Sequence, residues 1–159
     1  MRVDEILPRL FISARTHQLS DTEKMLLVQQ YQLTVVVNLW HTPDAVMRDL
    51  VSTYIHCSIP DGKHIYPGLL DLGKRVIGIY NNKRDRILVH CYGGRNRAAL
   101  LIGLVVCSVL GIKGDDLVLF IQQRRRGALK NCVFANWLRE RSAREDGDDY
   151  QSSGNFGIR

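Results

Sequence analysis

The chain has 159 residues, of which 24% are charged and 45% are hydrophobic, and this length and composition fit one globular domain with its own core. The N-terminus lacks the apolar segment of a signal peptide, and the apolar run 98–110 is shorter than the ~20 residues that a membrane-spanning helix needs. The net charge of +6 favours anionic partners such as phosphates, acidic peptides or RNA.

The cysteines argue against a zinc site, because no Cys-x-x-Cys pair is present. Without a secretion signal, we expect them to be reduced in an intracellular compartment, most simply the cytoplasm, with the nucleus as the alternative. No metal, cofactor or membrane span is expected. The four cysteines are Cys57, Cys91, Cys107 and Cys132.

Patterns in the first part of the chain predict an alternation of strands and helices. Ser20 and Glu23 are spaced as a capping box, which starts a helix after Ser20. Thr42, Pro43 and Asp44 supply a cap, a proline at the first helical position and an acidic first turn, so a second helix starts there. In chain order, the predicted elements are two short strands around Pro8 within 5–13, a helix to about Tyr31, a strand over 33–40, a helix to about Leu50, a strand over 54–59, a loop over 60–63, a helix over 67–82 and a strand over 87–90.

In the second part of the chain, the run 98–110 predicts a buried helix that ends at Gly111. Asp115 opens the next helix, and Asn131, or a residue near it, opens the last one. The arginines 124–126 at the end of the penultimate helix have two interpretations, a solvated helix end or a contribution to anion binding. We expect a domain over 1–141, a polar tail over 142–159, and an α/β fold whose mostly parallel sheet of about five strands carries helices on both faces.

The most informative stretch is 87–98, which predicts a strand, a tight loop and a buried helix. Five residues separate Cys91 from Arg97, and Gly93 and Gly94 among them let the backbone curl around an anion. Backbone N–H groups and the helix dipole make such a loop electropositive. A cysteine in this position ionises readily and becomes a nucleophile, while the planar arginine fork binds two phosphate oxygens.

The segment His90-Cys91-Tyr92-Gly93-Gly94-Arg95-Asn96-Arg97 resembles the signature His-Cys-x-x-Gly-x-x-Arg of the cysteine-dependent protein tyrosine phosphatase superfamily. It is most like the dual-specificity phosphatases, and among them it is similar to the cyclin-dependent kinase inhibitor phosphatase group. The resemblance spans about residues 5–139. It implies that residues 92–97 bind the substrate phosphate and that Cys91 and Arg97 are catalytic. Phosphotyrosine and phosphoserine or phosphothreonine in proteins would be hydrolysed through a cysteinyl phosphate, without a metal.

Three further residues complete the predicted site. Attack by a thiolate needs a general acid for the leaving oxygen, worth about 10²–10⁴-fold. Asp61 is the candidate because the resembling families carry this aspartate on a mobile loop, although Pro60-Asp61-Gly62 is also ordinary turn chemistry. The resemblance gives His90 a supporting role in holding the loop and tuning the cysteine, with a buried core histidine as the alternative. It also assigns Asn131 to support of the phosphate loop, which a helix N-cap explains equally well.

One departure from the family pattern follows the arginine. The family usually has Ser or Thr there, whose hydroxyl helps the sulfur to leave when the phosphoenzyme is hydrolysed, and this chain has Ala98. We therefore expect a slow second step. The same departure leaves open a weakly active phosphate-binding module.

Two other substrates remain open besides phosphorylated proteins. Asn96-Arg97 resembles the end of the phosphate loop in the related RNA triphosphatases, and the chain is basic, so an RNA 5′ end is the first alternative. The runs of aromatic residues expected for base stacking are not apparent. Arg95 adds a loop charge that suits a phosphoinositide head group, which is the second alternative.

Overall fold

The computed structural model describes the backbone of residues 1–147 and the side chains of residues 1–141. The predicted polar tail lies outside the described residues from 148 onward, and residues 142–147 continue the last helix. The elements, besides a 3₁₀ turn at Thr16–Gln18, are β1 (Val3–Leu7), β2 (Leu10–Ser13), α1 (Asp21–Tyr31), β3 (Val35–Asn38), α2 (Ala45–Leu50), β4 (Thr53–His56), α3 (Leu69–Asn81), β5 (Ile87–His90), α4 (Arg97–Leu110), α5 (Gly114–Arg124) and α6 (Cys132–Gly147).

The five strands form one sheet in the order β1-β2-β5-β3-β4. The pair β1–β2 is antiparallel, and the other three pairs are parallel. Ser13 and Asn38 are both in register with His90, so the carboxyl ends of β2, β3 and β5 meet at one edge of the sheet. The predicted α/β fold with a mostly parallel sheet is confirmed, and the loop after β5 starts at the edge where parallel sheets bind ligands.

Two hydrophobic clusters cover the two faces of the sheet. On one face, Val36 and Leu88 of the strands belong to a cluster with Leu27 of α1 and Met47 of α2. Val89 and its strand neighbours face the larger cluster, to which α3, α4, α5 and α6 all contribute. Successive strand residues point to opposite faces, so a strand that is apolar on both faces must be covered by helices on both.

Helix α4 is the most deeply buried helix in the described part of the chain. Its first nine residues after Arg97 are buried except for Leu104, and each fully buried aliphatic side chain stabilises the fold by about 1.5–3 kcal/mol. The helix ends at Gly111, whose φ of +68° is the left-handed conformation of a helix C-cap. The predicted buried helix and its stop are both confirmed.

The predicted capping box is confirmed at α1, where Ser20 Oγ accepts from the Glu23 N–H and Glu23 accepts from the Ser20 N–H. The prediction that Thr42 caps α2 is wrong. The N-cap is Asp44, whose carboxylate accepts from the Met47 N–H at 3.2 Å. Thr42 instead accepts a hydrogen bond from Asn38 Nδ2 at its backbone carbonyl.

Asp44 is also the centre of a buried polar cluster. It accepts hydrogen bonds from Thr16 Oγ1 at 2.6 Å and from Lys24 Nζ at 2.9 Å. Burial by itself would raise the pKa of Asp44, but the hydrogen bonds from Thr16 and Lys24 outweigh it, so its pKa lies below the usual value. These contacts fix Asp44 more firmly than a surface cap, which explains why α2 starts there.

The strands are shorter than predicted. Strand β3 spans Val35–Asn38 rather than 33–40, and β4 spans Thr53–His56 rather than 54–59. Strand β3 ends at Asn38, whose side-chain oxygen accepts the N–H of Trp40, although the N–H of Leu39 still donates to the carbonyl of His90. None of the helices within residues 1–147 combines the length and the apolar character that a bilayer crossing requires.

Candidate active site

The loop between β5 and α4 forms the floor of a cavity of about 540 Å³. Cys91 follows the last residue of β5 and is 2% exposed, while Arg97 is the first residue of α4. Asp61, from the loop after β4, lines the same cavity. The structure thus brings the predicted nucleophile, arginine and acid together. The complete lining is Met1, Arg2, Ala14, Gln18, Asp61, Cys91, Tyr92, Gly93, Arg95, Asn96, Arg97 and Arg125.

Position 94 of the loop must be glycine, because it has no room for a side chain. Its φ is +62°, and a Cβ there would lie 2.1 Å from the carbonyl oxygen of Ser13, at the end of β2. By contrast, a Cβ on Gly93 would meet nothing within 4 Å. The loop therefore packs its backbone directly against the sheet edge at Gly94, which sets its curvature around Cys91.

Arg97 is oriented by the backbone of the loop after β4. Its Nη1 donates to the carbonyl of Ile59 at 3.2 Å. Its Nε is buried and has no hydrogen-bond partner among the described residues. A buried guanidinium N–H without a partner is unfavourable, and an anion in the cavity would satisfy it.

Asp61 is held by two asparagines. Its Oδ2 accepts from Asn96 Nδ2 at 3.0 Å, and its Oδ1 accepts from Asn131 Nδ2 at 2.8 Å. Asn131 Nδ2 also donates to the carbonyl of Gly62 at 2.9 Å. The side chain of the candidate acid is exposed to the cavity, yet both of its oxygens are fixed in direction.

The two interpretations of Asn131 are compatible. Its Oδ1 accepts from the N–H groups of Val133 and Phe134, which caps α6, and its own N–H donates to Asn96 Oδ1 at 3.0 Å. Helix α6 begins at Cys132, so the predicted start near Asn131 is confirmed. Asn131 thus caps α6 and contacts the acid with its side chain, and it contacts the phosphate loop with its backbone N–H.

His90 is fully buried beneath Cys91. Neither of its ring nitrogens makes a well-formed hydrogen bond to a described residue. Burial, together with the neighbouring His17 ring at a centroid distance of 6.1 Å, lowers the pKa of His90 to about 3. The imidazole is therefore neutral at physiological pH, and its side chain contributes packing and a dipole rather than a charge.

Arg125 is a site residue that the sequence analysis did not single out. It is buried, and its guanidinium donates from Nε to the carbonyl of Gly94 at 2.9 Å and from Nη2 to that of Gly93 at 3.2 Å. Its Nη1 forms an ion pair with Asp4 at 2.9 Å. Arg125 thus ties the end of α5 and the first strand to the back of the phosphate loop. The arginine run was the only signal in the sequence, and it does not say which arginine turns inward.

An aromatic cluster lies beside the cavity, and it too was not apparent from the sequence. The guanidinium of Arg15 lies 4.0 Å from the ring centroid of Tyr92 and 4.9 Å from that of Trp40. The Arg15 N–H also donates to the carbonyl of Tyr92 at 3.1 Å. Trp40 and Tyr92 are distant in sequence and meet only because β3 and β5 are neighbours.

No three His, Cys, Asp or Glu side chains cluster as potential metal ligands within the part of the chain that the structure describes. All four cysteines are free thiols.

The family model and the three proteins compared below are all phosphatases. The family model described as "Dual specificity phosphatase, catalytic domain" matches residues 17–144. Protein tyrosine phosphatase PRL-1 of Trypanosoma cruzi is 28% identical over 139 residues, which cover 85% of this chain and 78% of that protein. Mouse protein tyrosine phosphatase type IVA 3 is 38% identical over 52 residues, so this match spans 33% of the chain and 30% of the mouse protein. The crystal structure of Cydia pomonella PTP-2 phosphatase superposes with a TM-score of 0.74 at 17% identity, covering 87% of this chain and 88% of that one, which is a likeness of fold.

Proposed function

The chain belongs to the dual specificity phosphatase catalytic domain family, within the cysteine-dependent protein tyrosine phosphatase superfamily, and from this premise we propose that it removes phosphate from phosphotyrosine and from phosphoserine or phosphothreonine in proteins. The observation that carries the proposal is the shared cavity. Cys91 and Arg97 stand at the two ends of the loop between β5 and α4, Asp61 comes from the loop after β4, and all three line one opening of about 540 Å³.

In the proposed first step, the Cys91 thiolate attacks phosphorus and the bond from phosphorus to the ester oxygen breaks. Arg97 and the backbone N–H groups of the loop stabilise the charge on the phosphoryl oxygens. Asp61 gives its proton to the departing oxygen, because an alkoxide or phenoxide leaves poorly without one. In the second step Asp61 accepts a proton from water, which attacks phosphorus and returns the Cys91 thiolate with inorganic phosphate as product.

A phosphorylated protein is the proposed partner because Asp61 belongs to the cavity. A monoester on Tyr, Ser or Thr needs an acid for its leaving oxygen, whereas cleavage of a 5′-triphosphate on RNA expels a diphosphate that needs little protonation. A site that fixes both oxygens of Asp61 therefore fits a monoester better than a triphosphate.

The test compares the wild type with Cys91→Ser and Asp61→Ala on a phosphotyrosine peptide, a phosphothreonine peptide and 5′-triphosphate RNA. We expect no turnover with Cys91→Ser, and a loss of about 10²–10⁴-fold on both peptides with Asp61→Ala. Cys132→Ser and Asp71→Ala are the matched controls, since both residues are exposed and neither lines the cavity. Peptide turnover that survives in Asp61→Ala, or RNA cleavage that alone survives, would contradict the proposal.

Ala98 supports a second candidate, a phosphate-binding module with weak turnover. Its side chain is fully buried at the first turn of α4, where the family usually carries a hydroxyl. If the Cys91→Ser protein binds phosphopeptides with micromolar affinity but the wild type turns over less than once per hour, the module is the better description.

An intracellular, cytoplasmic location remains a prediction.

A further inference from the structure

The segment that joins β2 to α1 forms one wall of the active-site cavity. We call residues 14–18 the wall segment, because Ala14 and Gln18 line the cavity together with Cys91. Gln18 is exposed, and its side-chain amide carries both hydrogen-bond donors and an acceptor. These groups pair with the carbonyl and the N–H of a peptide bond. Gln18 can therefore contact the main chain of a protein whose phosphate lies over Cys91.

The wall segment has little local structure to hold it in place. Thr16–Gln18 form a single 3₁₀ turn, which ends where the N–H of Leu19 donates to the carbonyl of Thr16 at 3.0 Å. Among the described residues, no side chain caps the start of this turn. A 3₁₀ turn has poorer hydrogen-bond geometry than an α-helix, so a single turn adds little stability by itself. The position of Gln18 must therefore depend on contacts with other parts of the fold.

Thr16 supplies the buried contact of the wall segment. Its side chain is fully buried, and its Oγ1 donates to Asp44 Oδ2 at 2.6 Å. A hydroxyl that donates to a carboxylate forms a short hydrogen bond that is stronger than a bond between neutral groups. Thr16 and Gln18 belong to the same turn, so this bond also fixes the direction in which Gln18 leaves the turn.

The acceptor of this bond is held by three other elements. Lys24 Nζ of α1 donates to Asp44 Oδ1 at 2.9 Å, and both side chains are buried. The carboxylate of Asp44 caps α2 by accepting from the N–H of Met47. The N–H of Asp44 donates to Tyr54 Oη of β4 at 2.8 Å. Asp44 is thus a fixed point of the fold, and Thr16 connects the wall segment to it.

Two further contacts attach the wall segment on either side. His17 Nε2 lies 2.9 Å from the carbonyl oxygen of Thr42 and 3.1 Å from that of Pro43. Both of these oxygens are acceptors, so Nε2 carries the proton and donates. The N–H of Arg15 donates to the carbonyl of Tyr92 at 3.1 Å. The wall segment therefore bridges the start of α2 and the phosphate loop.

We propose that Thr16 is a positioning residue for substrate binding, and that it positions Gln18 against the main chain of the protein substrate beside the phosphorylated residue. The inference rests on the proposed function, since it assumes that a phosphoprotein segment occupies the cavity. Without the Thr16 hydroxyl, Gln18 loses its fixed direction and must be ordered when the substrate binds, which weakens binding. A small aryl phosphate is held by the phosphate loop and depends little on Gln18.

The experiment compares kcat and KM on a phosphotyrosine peptide and on an aryl phosphate for the wild type, Thr16→Val and Thr16→Ser. Valine has nearly the shape of threonine but lacks the hydroxyl, while serine retains it. Thr16→Val should raise the peptide KM about tenfold and leave the peptide kcat, and both constants for the aryl phosphate, within about twofold of the wild type. Thr16→Ser should keep the peptide KM of the wild type.

Thr34→Val is the matched control. Thr34 Oγ1 also donates to an aspartate, Asp85 Oδ1, at 2.8 Å, but Thr34 precedes β3 and does not line the cavity. Both valine variants should lower the melting temperature, by about 3–10 °C, because each loses a hydrogen bond to a carboxylate. Thr34→Val should leave the peptide KM unchanged, so a loss of stability alone does not account for a change in KM.

Gln18→Ala tests the substrate contact directly. Its melting temperature should stay near that of the wild type, because the side chain is exposed. The peptide KM should rise about as much as in Thr16→Val, and adding Thr16→Val should raise it by no more than about twofold further, since the group that Thr16 positions is absent. An unchanged peptide KM in Gln18→Ala overturns the proposal, even if Thr16→Val is too unstable to assay.

The proposal is also overturned if Thr16→Val leaves the peptide KM unchanged, if it impairs both substrates equally, or if Thr16→Ser or Thr34→Val raises the peptide KM as much. If the wild type hydrolyses neither substrate, calorimetry measures the binding of the phosphopeptide and of inorganic phosphate to Cys91→Ser. Weaker peptide binding with unchanged phosphate binding in Cys91→Ser/Thr16→Val then upholds the role of Thr16, while the proposed function fails. Any other pattern of binding overturns both.

Discussion

Asn96 Nδ2 donates a hydrogen bond to Asp61 Oδ2 at 3.0 Å, and this contact joins the phosphate loop to the loop that carries the candidate acid. Asn131 closes a ring, because its Nδ2 donates to Asp61 Oδ1 at 2.8 Å and its N–H donates to Asn96 Oδ1 at 3.0 Å. A carboxylate with both oxygens engaged cannot rotate freely, so the two asparagines set the direction of the Asp61 carboxylate within the cavity that Cys91 also lines. We infer that they position the acid.

The substitution Asn131→Asp separates this positioning role from the capping of α6. An aspartate caps a helix as well as an asparagine does, so the free energy of unfolding should fall by about 1–3 kcal/mol through the lost Nδ2 hydrogen bonds to Asp61 and Gly62 rather than through the cap. The Nδ2 donor to Asp61 is lost and a second carboxylate lies beside it, so kcat/KM on a phosphothreonine peptide should fall about tenfold or more. Urea unfolding and a pH–rate profile measure the two effects.

A double-variant cycle tells whether Asn131 acts through Asp61. In an Asp61→Ala background, Asn131→Asp should cost little further activity, because the group that it positions is already absent. If the loss is equally large in both backgrounds, Asn131 acts on catalysis by another route.

The arrangement around Cys91 could be predicted from the sequence because its signals are local. A strand, a glycine-containing loop and a buried helix follow each other within residues 87–110, and the loop residues are neighbours in the chain. Asp61 could be proposed as the acid from the family resemblance and its Pro-Asp-Gly turn, but its contacts could not be predicted, since they join it to Asn96 and Asn131, 35 and 70 residues away. The assignment to the cyclin-dependent kinase inhibitor phosphatase group remains a prediction.

Arg125 offers a test of a residue that sequence patterns could not resolve. Replacement by methionine keeps the volume, but it removes the Arg125 donors to the carbonyls of Gly93 and Gly94 and leaves the carboxylate of Asp4 with Arg2 alone. The free energy of unfolding should therefore fall by about 2–4 kcal/mol, as measured by urea denaturation. Arg124→Met is the control, since that side chain is exposed and should cost under about 1 kcal/mol. Similar losses for both variants would show that the inward contacts of Arg125 contribute little.

The predictions that failed concern element ends, where tertiary contacts compete with local preference. Thr42 has good capping chemistry, yet Asp44 caps α2 because Thr16 and Lys24 hold its carboxylate in place. The aromatic cluster also depends on a tertiary contact, since the pairing of β3 with β5 brings Trp40 next to Tyr92. Spacing along the chain carries no information on such contacts.

Ala98 should make hydrolysis of the cysteinyl phosphate the slow step. Rapid mixing of the wild type with an aryl phosphate should give a burst of the phenol close to one equivalent, followed by slow turnover. Ala98→Ser adds a hydroxyl that can donate to the Cys91 sulfur, so the steady-state rate should rise several-fold while the burst amplitude falls. Ala99→Ser places the same group one residue further along the same buried turn and should leave both phases unchanged. A linear time course for the wild type, with no gain in Ala98→Ser, would count against this role.

His90 should make the stability of the protein depend on pH. Its pKa is about 3 in the fold, below the 6.5 of an unperturbed histidine, so the unfolded chain binds the proton first as pH falls. The free energy of unfolding should therefore decrease as pH is lowered from about 6.5, by at most about 1.4 kcal/mol per pH unit, and stay level above that pH.

Urea denaturation between about pH 4.5 and 6.5 measures the slope and avoids the titration of Asp44, whose pKa lies below 3.8. His90→Gln should flatten the slope, although it lowers stability at neutral pH, while His64→Gln, at an exposed position, should retain the wild-type slope. Equal slopes in all three proteins would mean that His90 is protonated in the fold as readily as in the unfolded chain.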